Sequence, residues 1–409
     1  MPTSSTPAAQ AFSQRRGIVL TLSLATLLGM VNLVSMGAFM PAMSRDLGAS
    51  VPLLGQVTTA TLFGAAVISL FAGPLADHYG KRRLLVIGLA TLGLSAAGTA
   101  LAPSYGWLLG ARMMSSVSGG VLGGTTLAVA GTLFDGDERR RAMSWIASGI
   151  AAGAIAGIPF LTLVASISSW RWAYAVLAAL GFVWVLLVLR LLPDDAVEGG
   201  RLEAGAVLAA YRPLFASRAM LTLNIATVTR AIAWVGMLTY IGAYLDHEHD
   251  LSTAEIGWVY MVGGGGYFIG TKLAGGRLGG HDLRAVFGLG TAAMGGLLAA
   301  SLALPIGPVA AVGLMGLASI AGGFGYVALI TLVSSDSPAG QGTTMSLNAA
   351  MFEGGSALGG AFGGLLVAVG GYASLGLGLM GFAYLATALI WRPVPGALIA
   401  RVRPAALPD

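Results

Sequence analysis

Three ionisable side chains, Arg112, Arg230 and Glu353, lie inside long apolar segments of this 409-residue chain. A charge at that depth in a bilayer is costly unless it faces a cavity or a partner, so these residues indicate function. Glu353 is the only carboxylate clearly inside such a segment, and a lone carboxylate can load and release a proton as its surroundings change. We therefore expect Glu353 to carry a proton and Arg230 to pair with it or to bind an anion.

Each of these assignments has a structural alternative. Glu353 and Arg230 could form a static structural pair. Arg112 lies about six residues, or ~9 Å, inside its segment and could extend its side chain to the membrane surface. Asn32, in the first apolar segment, could line a cavity or simply bond to another helix.

The elements that hold these residues must be membrane helices. The chain is 56% hydrophobic and only 10% charged, whereas soluble domains carry roughly 25% charged residues. A helix needs ~20 apolar residues to cross a bilayer, and lipid leaves no water for unpaired backbone groups. Breaks at charges, Pro and Asn predict twelve helical spans, at residues 17–41, 52–74, 83–102, 106–134, 142–166, 172–192, 217–244, 254–276, 284–304, 308–333, 342–369 and 373–392.

The spans divide the chain into two halves of six. We expect a cytoplasmic tail at 1–16, a first half at 17–192, a cytoplasmic linker at 193–216, a second half at 217–392 and a cytoplasmic tail at 393–409. The tail at 1–16 is polar and is followed by no cleavage site, so no removable signal peptide is predicted.

Basic residues orient the chain. With the N-terminus in the cytoplasm, seventeen of the 22 basic residues fall on that side, and only Arg45 and Arg171 on the other. This asymmetry predicts a multi-pass protein of the cell membrane, in bacteria the inner membrane, with both termini cytoplasmic. Because the positive charge is split among separate loops, it does not indicate binding to nucleic acid.

The turn between the second and third spans, residues 73–83, has the sequence GPLADHYGKRR. Gly73 and Gly80 permit a tight turn and close helix contact, and Asp77 can cap or pair at a helix end. Lys81 and Arg82 hold the loop in the cytoplasm. The alternative is an ordinary positively charged cytoplasmic turn without a special role.

This turn resembles the one between helices two and three of the major facilitator superfamily. Leu109-Gly110-Ala111-Arg112, followed by Gly119-Gly120, is similar to the family's arginine-containing pattern in helix four. The corresponding turn of the second half keeps Gly276, Arg277 and Leu278 but has Gly280 where aspartate is expected. The resemblance covers nearly the whole chain. It implies a monomeric all-α membrane transporter with twelve helices in two halves, and it implies a conformational gate at Gly73 to Arg82.

The fifth span carries glycines at four-residue intervals, Gly149, Gly153 and Gly157, followed by Pro159. The spacing gives a smooth helix face for close packing, and the proline permits a bend. This segment resembles the glycine-proline motif of the family's drug exporters, although the residues next to Pro159 depart from it. Generic helix packing is the alternative.

Other chemistry is not indicated. Cysteine is absent, and Gly80-Lys81 lacks the glycine and the hydroxyl residue of a phosphate-binding loop. His247 and His249 lie among acidic residues in a predicted periplasmic loop, which favours a solvated loop over a metal site. We expect no cofactor and no metal, and no catalytic constellation is visible that would make the chain an enzyme.

These observations predict a secondary active transporter that exports a small amphipathic molecule (a drug, sugar or metabolite), with proton antiport and alternating access. Glu353 is expected to carry the proton, and Arg112, Arg230 and Asn32 to contact substrate or relay charge. Its expected partners are that small molecule, protons and the lipid bilayer. Proton-coupled uptake or facilitated diffusion is one alternative. A membrane sensor or enzyme without transport is the other.

Overall fold

The computed structural model describes residues 7–194, 204–277, 281–335 and 337–391, and within these ranges the secondary structure is helical throughout. Ten of the described helices are long and apolar enough to cross a membrane. The last of them, Gln341–Trp391, breaks at Gly370 and Gly371 and supplies two spans. Thr253–Arg277 completes the set of twelve that the sequence predicts.

The spans are numbered in chain order. They are α1 (Pro7–Leu47), α2 (Val51–Tyr79), α3 (Lys81–Ala100), α4 (Tyr105–Leu133), α5 (Gly136–Ile167), α6 (Trp170–Leu191), α7 (Arg218–His249), α8 (Thr253–Arg277), α9 (Leu283–Ala303), α10 (Pro308–Ser335), α11 (341–369) and α12 (372–391).

Several helices extend beyond the predicted spans. The first begins at Pro7, inside the predicted tail, and α5 begins at Gly136, before a charged segment. The seventh continues to His249, so the acidic and histidine-rich segment predicted as a loop is helical. The residue that follows the helix, Asp250, caps it with a left-handed φ of +53°. Charged residues end the contact with lipid without ending the helix, because a helix in water keeps its backbone hydrogen bonds.

The connection between the halves contains two short helices, Ala204–Ala210 and Arg212–Ala216. The Tyr211 hydroxyl donates to the Leu70 carbonyl of α2 at 2.8 Å, which attaches the connection to the first half. Residues 1–6 and 195–203, residues 278–280 of the second turn, and the predicted tail at 393–409 lie outside the described residues.

The alternating direction of the spans gives the bundle two ends. We call them the Gly80 end, where α2 meets α3, and the Arg45 end, where α1 ends. Gly80 closes α2 and opens α3, and its φ of +89° is a conformation that favours glycine.

The largest contacts between the two halves are three helix pairs, α1 with α7, α2 with α11, and α5 with α8. Exchanging the halves maps α2 onto α8 and α5 onto α11, so the second and third pairs are equivalents. The fold therefore has the internal two-fold relationship of transporters built from repeats.

Close approaches between the halves lie from the middle of the bundle to the Arg45 end. Gly37 of α1 leaves no room for a Cβ beside the Leu238 carbonyl of α7, and Gly242 leaves none beside the Gly37 carbonyl. At mid-bundle, a Cβ on Gly354 of α11 would lie 4.0 Å from the Ala66 methyl of α2. The halves are thus joined tightly toward the Arg45 end.

Candidate functional site

Arg112 is buried in the first half, at 3% exposure, and is held by the backbone and side chain of Asn32. Its Nη1 donates to Asn32 Oδ1 at 2.7 Å and its Nη2 to the Asn32 carbonyl at 2.9 Å. Asn32 Nδ2 in turn donates to Ser115 Oγ. The side chain therefore bridges α4 to α1 inside the protein and does not extend to the membrane surface.

The surroundings of Arg112 are polar but include no carboxylate among the described contacts. The Tyr174 ring of α6 lies with its centroid 5.8 Å from Arg112 Cζ, and its hydroxyl is 2.9 Å from Ser35 Oγ. Thr61 of α2 donates to the Arg112 carbonyl at 3.2 Å. Four helices of the first half thus meet at Arg112.

Arg230 is buried in the second half, at 1% exposure. Its Nη2 donates to the Gly322 carbonyl of α10 at 2.6 Å, and its Cζ lies 5.6 Å from the centroid of the Tyr326 ring. Tyr267 of α8 also interacts with the guanidinium. Trp234 stacks on Tyr267, with centroids 5.1 Å apart, and Tyr267 lies 5.8 Å from Tyr326.

Glu353 lies near the middle of α11 and keeps part of its surface exposed. Its Oε2 is buried and has no hydrogen-bond partner among the described residues. The ion pairs of the described residues do not join Glu353 to Arg112 or Arg230. In this conformation the structure brings each arginine to backbone carbonyls and aromatic rings, and it leaves Glu353 apart from both.

The predicted gate turn lies at the Gly80 end. Asp77 is exposed and has no ion pair within the described part of the chain, while Gly73 faces open space. Lys81 begins α3 and is partly exposed. Arg82 pairs with the Asp194 carboxylate just after α6. The basic part of the turn is therefore bound within the first half, whereas its acidic residue faces solvent.

Gly149, Gly153 and Gly157 of α5 all face α1. A Cβ on Gly149 would collide with the Ser23 carbonyl, one on Gly153 would lie 2.9 Å from the Leu27 carbonyl, and one on Gly157 would collide with Val31. Residues 153–157 form a π-helical turn, which the sequence did not predict, two residues before Pro159. Such turns widen a helix locally and occur frequently at functional sites.

Comparison with known proteins settles the family. The profile of the Major Facilitator Superfamily matches residues 22–352. The chain belongs to this superfamily. Its fold is therefore that of an all-α membrane transporter with two six-helix halves, and its relatives are transporters of small molecules.

Two relatives illustrate the range of the superfamily. The chain is 27% identical over 368 residues to the inner membrane transport protein YdhP of Escherichia coli K12, covering 88% of this chain and 87% of that protein. It is 32% identical over 184 residues to the puromycin resistance protein pur8 of Streptomyces alboniger, covering 45% of this chain and 36% of that protein. The chain is thus a multi-pass membrane transporter.

Solved structures agree on the fold. The inward-open xylose transporter XylE of E. coli superposes with a TM-score of 0.72 at 15% identity, covering 93% of this chain and 96% of that one. A bacterial homologue of the human lysosomal transporter Spinster, inward-facing and occupied, gives 0.70 at 17% identity, covering 95% and 97%. At these identities the likeness concerns architecture alone.

In this transporter the Arg45 end carries contacts that the sequence analysis did not find. Arg45 Nη1 lies 3.0 and 2.8 Å from the two carboxylate oxygens of Asp246, which joins α1 to α7 across the halves. Arg171 Nη2 donates to Asp46 at 2.7 Å within the first half. The two basic residues that the orientation rule places outside thus both have acidic partners. The histidine-rich end of α7 forms no metal-binding group among the described residues.

Proposed function

We propose that this chain is a monomeric exporter of a small amphipathic molecule that exchanges its substrate for protons. The observation that carries the proposal is Glu353, a carboxylate at mid-bundle whose buried oxygen has no partner among the described residues. An ionised group in that position is costly, and taking up a proton removes the cost. No other acidic residue of the described spans has this placement.

The orientation of the cycle follows from charge. Most of the basic residues lie at the Gly80 end, which favours a cytoplasmic location for that end and for both termini. The close contacts between the halves lie from mid-bundle to the Arg45 end, so in this orientation the conformation is inward-facing. Rocking of the two halves would then open the Arg45 end and close the Gly80 end.

The gate turn fits the same cycle. Asp77 is solvated while the halves are in contact at the other end, so it is available to pair at the Gly80 end when that end closes. We therefore assign Asp77 to the balance between conformations and not to substrate binding. Gly73, Gly80, Lys81 and Arg82 give the turn its shape and its attachment to the first half.

Export is favoured over uptake by two observations. The α5 glycines and Pro159 resemble the motif of the family's drug exporters, and their close packing on α1 gives that segment a shape that larger residues would change. One relative is named for puromycin resistance. Uptake with protons and facilitated diffusion are the alternatives within transport.

The test is flux in proteoliposomes that contain the purified chain, with an imposed pH gradient and a panel of drugs, sugars and metabolites. Antiport predicts that protons leaving the vesicle drive substrate into it, and that a protonophore abolishes accumulation. Movement of substrate in the same direction as protons would establish symport, and flux indifferent to the gradient would establish facilitated diffusion. Absence of flux for the whole panel, with intact protein, would favour a non-transporting role.

A further inference from the structure

The charges at mid-bundle do not balance. Apart from Arg15 and Arg16 in the polar start of α1, the acidic and basic side chains of the described residues that lie at least seven residues from both ends of their helices are Arg112, Arg230 and Glu353. These are two cations and one carboxylate, and the described ion pairs join none of them. A buried guanidinium without an opposite charge is costly, so a negative group supplied from outside the chain would stabilise it.

Neither buried arginine uses all of its donors, and Arg230 is the one that lies beside a cluster of aromatic rings. Arg112 reaches both the side-chain oxygen and the carbonyl of Asn32. Arg230 donates to the Gly322 carbonyl, interacts with Tyr267, and leaves its Nε without a partner, as Arg112 also does. A guanidinium carries five N–H donors whose fork matches a carboxylate, so Arg230 has unused capacity for an anion.

Aromatic rings surround this cation. Trp234 and Tyr267 are stacked with an interplanar angle of 26°. Tyr267 and Tyr326 lie against Arg230 and remain partly exposed, although the guanidinium itself is 1% exposed. Planar side chains that stack on one another present faces on which a further planar ring can pack. The two tyrosines are therefore more accessible than the guanidinium, and movement of their rings would open Arg230 to an anionic group.

We propose that Arg230, Tyr267, Tyr326 and Trp234 form a subsite for an aromatic organic anion. The anionic group, a carboxylate or sulfonate, pairs with Arg230, and the ring packs on the aromatic side chains. This inference rests on the proposed transport function and names the substrate class within it. The anion site and the proton site at Glu353 are separate groups, so the coupling between them is conformational.

The proposal has an electrical consequence. Export of one anion in exchange for one entering proton moves two charges in the same electrical sense, so the cycle is electrogenic. A membrane potential that is negative on the substrate side should therefore accelerate transport at constant pH gradient.

The test compares three planar molecules of similar shape, 2-naphthoate, 2-naphthamide and 2-naphthylmethylammonium. Their binding to the full-length chain in detergent is measured by calorimetry, without any gradient. We expect naphthoate to bind at least tenfold more tightly than the other two. Arg230→Gln should remove this preference, and Arg230→Lys should retain part of it.

Two further variants keep the result interpretable. Lys272→Gln removes a cation that lies over Phe268 near the Gly80 end, at 5.4 Å, and should leave the preference unchanged. Tyr267→Leu removes one ring of the subsite while Arg230 remains. It should weaken naphthoate binding several-fold more than acetate binding. This comparison tests the aromatic part of the subsite even where Arg230→Gln fails to fold.

Three results would overturn the subsite: equal affinity for the acid and the amide, preference for the ammonium compound, or retention of the naphthoate preference in Arg230→Gln. These outcomes are distinct from failure of antiport. A cation exported in a Glu353-dependent way would leave the transport proposal intact and overturn the anion subsite. Tight naphthoate binding without proton-coupled flux would support the anion subsite and overturn the antiport proposal.

Discussion

Arg112 and Arg230 bridge equivalent helix pairs in the two halves, but from opposite members of the pair. Arg112 extends from α4 to the Asn32 carbonyl of α1 at 2.9 Å, and Arg230 extends from α7 to the Gly322 carbonyl of α10 at 2.6 Å. Exchange of the halves maps α1 onto α7 and α4 onto α10. The first and fourth helices of each half are therefore tied together by one buried guanidinium.

These bridges lie within the halves, whereas the contacts between the halves are of another kind. Gly37 meets Leu238 and Gly242 through backbone atoms, and the ion pair of Arg45 with Asp246 is exposed to solvent. An exposed ion pair contributes about 0–1 kcal/mol to stability. Among the described residues, buried hydrogen-bonded bridges within each half, and backbone packing without such bridges between the halves, favour motion of the halves as rigid bodies.

The first prediction concerns the Arg112 bridge. Asn32→Ala removes the Oδ1 acceptor and leaves a buried guanidinium short of a partner, which should cost about 1–3 kcal/mol of stability. We expect a lower melting temperature in detergent. Asn32→Asp supplies a carboxylate to Arg112 and should restore most of the loss.

The matched control is Thr132→Ala, on the exposed surface of α4, where the hydroxyl bonds only to its own helix. Its melting temperature should equal that of the wild-type chain. Equal melting of Asn32→Ala and the control would show that the bridge contributes little to stability.

The second prediction concerns the crossing of α1 and α7. A methyl group on Gly37 would collide with the Leu238 carbonyl and lie 2.6 Å from the Tyr260 hydroxyl. Because this approach belongs to the conformation closed at the Arg45 end, Gly37→Ala should disfavour that conformation by about 1–3 kcal/mol. The population should shift toward opening at the Arg45 end.

Spin labels can measure this shift, since the chain contains no native cysteine. Labels at Leu101→Cys and Val309→Cys, both exposed at the Arg45 end and in different halves, should show longer distances in Gly37→Ala. Gly123→Ala is the control, because no atom lies within 4 Å of its added methyl. An unchanged distance distribution in Gly37→Ala would refute the assignment of this crossing as a conformational contact.

The sequence predicts the membrane-spanning helices well because each depends on the hydrophobicity of one continuous segment. All twelve predicted spans correspond to helical segments, and the break between the last two, predicted between 369 and 373, is found at Gly370 and Gly371. Asn32, Arg112 and Arg230 could be selected because polar groups in apolar segments stand out.

The contacts of these residues could not be predicted in the same way. Asn32 and Arg112 are 80 positions apart, and Arg230 and Gly322 are 92 apart, with a backbone carbonyl as the acceptor in each case. Every residue has such a carbonyl, so the sequence carries no signal for which one is used. Tyr267 and Tyr326 likewise look like ordinary aromatic residues of a membrane helix until packing brings them to Arg230.

The third prediction concerns Asp77, whose exposed carboxylate is proposed to act only when the Gly80 end closes. Asp77→Asn removes the charge with little change in volume. Transport should fall at least several-fold while substrate binding to the purified protein stays within about twofold, because the change alters the population of states and not the binding site.

His78→Gln, at the neighbouring position of the same turn, serves as the control for disturbance of the loop. Full transport by Asp77→Asn would refute the gate assignment. An equal loss in both variants would indicate a disturbed turn and not a lost carboxylate.

The last prediction concerns Glu353 as the proton carrier. Glu353→Gln keeps the shape and polarity of the side chain but cannot ionise, so it should abolish accumulation driven by a pH gradient. Exchange of labelled for unlabelled substrate requires no net proton movement and should remain measurable. Glu353→Asp should keep part of the driven activity.

Ser356→Ala, one turn further along α11, removes a hydroxyl that bonds only to its own helix and should transport normally. If Glu353→Gln still concentrated substrate with the wild-type dependence on the proton gradient, Glu353 would be a structural polar residue. Coupling would then have to involve Asp77 or protonation of the substrate itself.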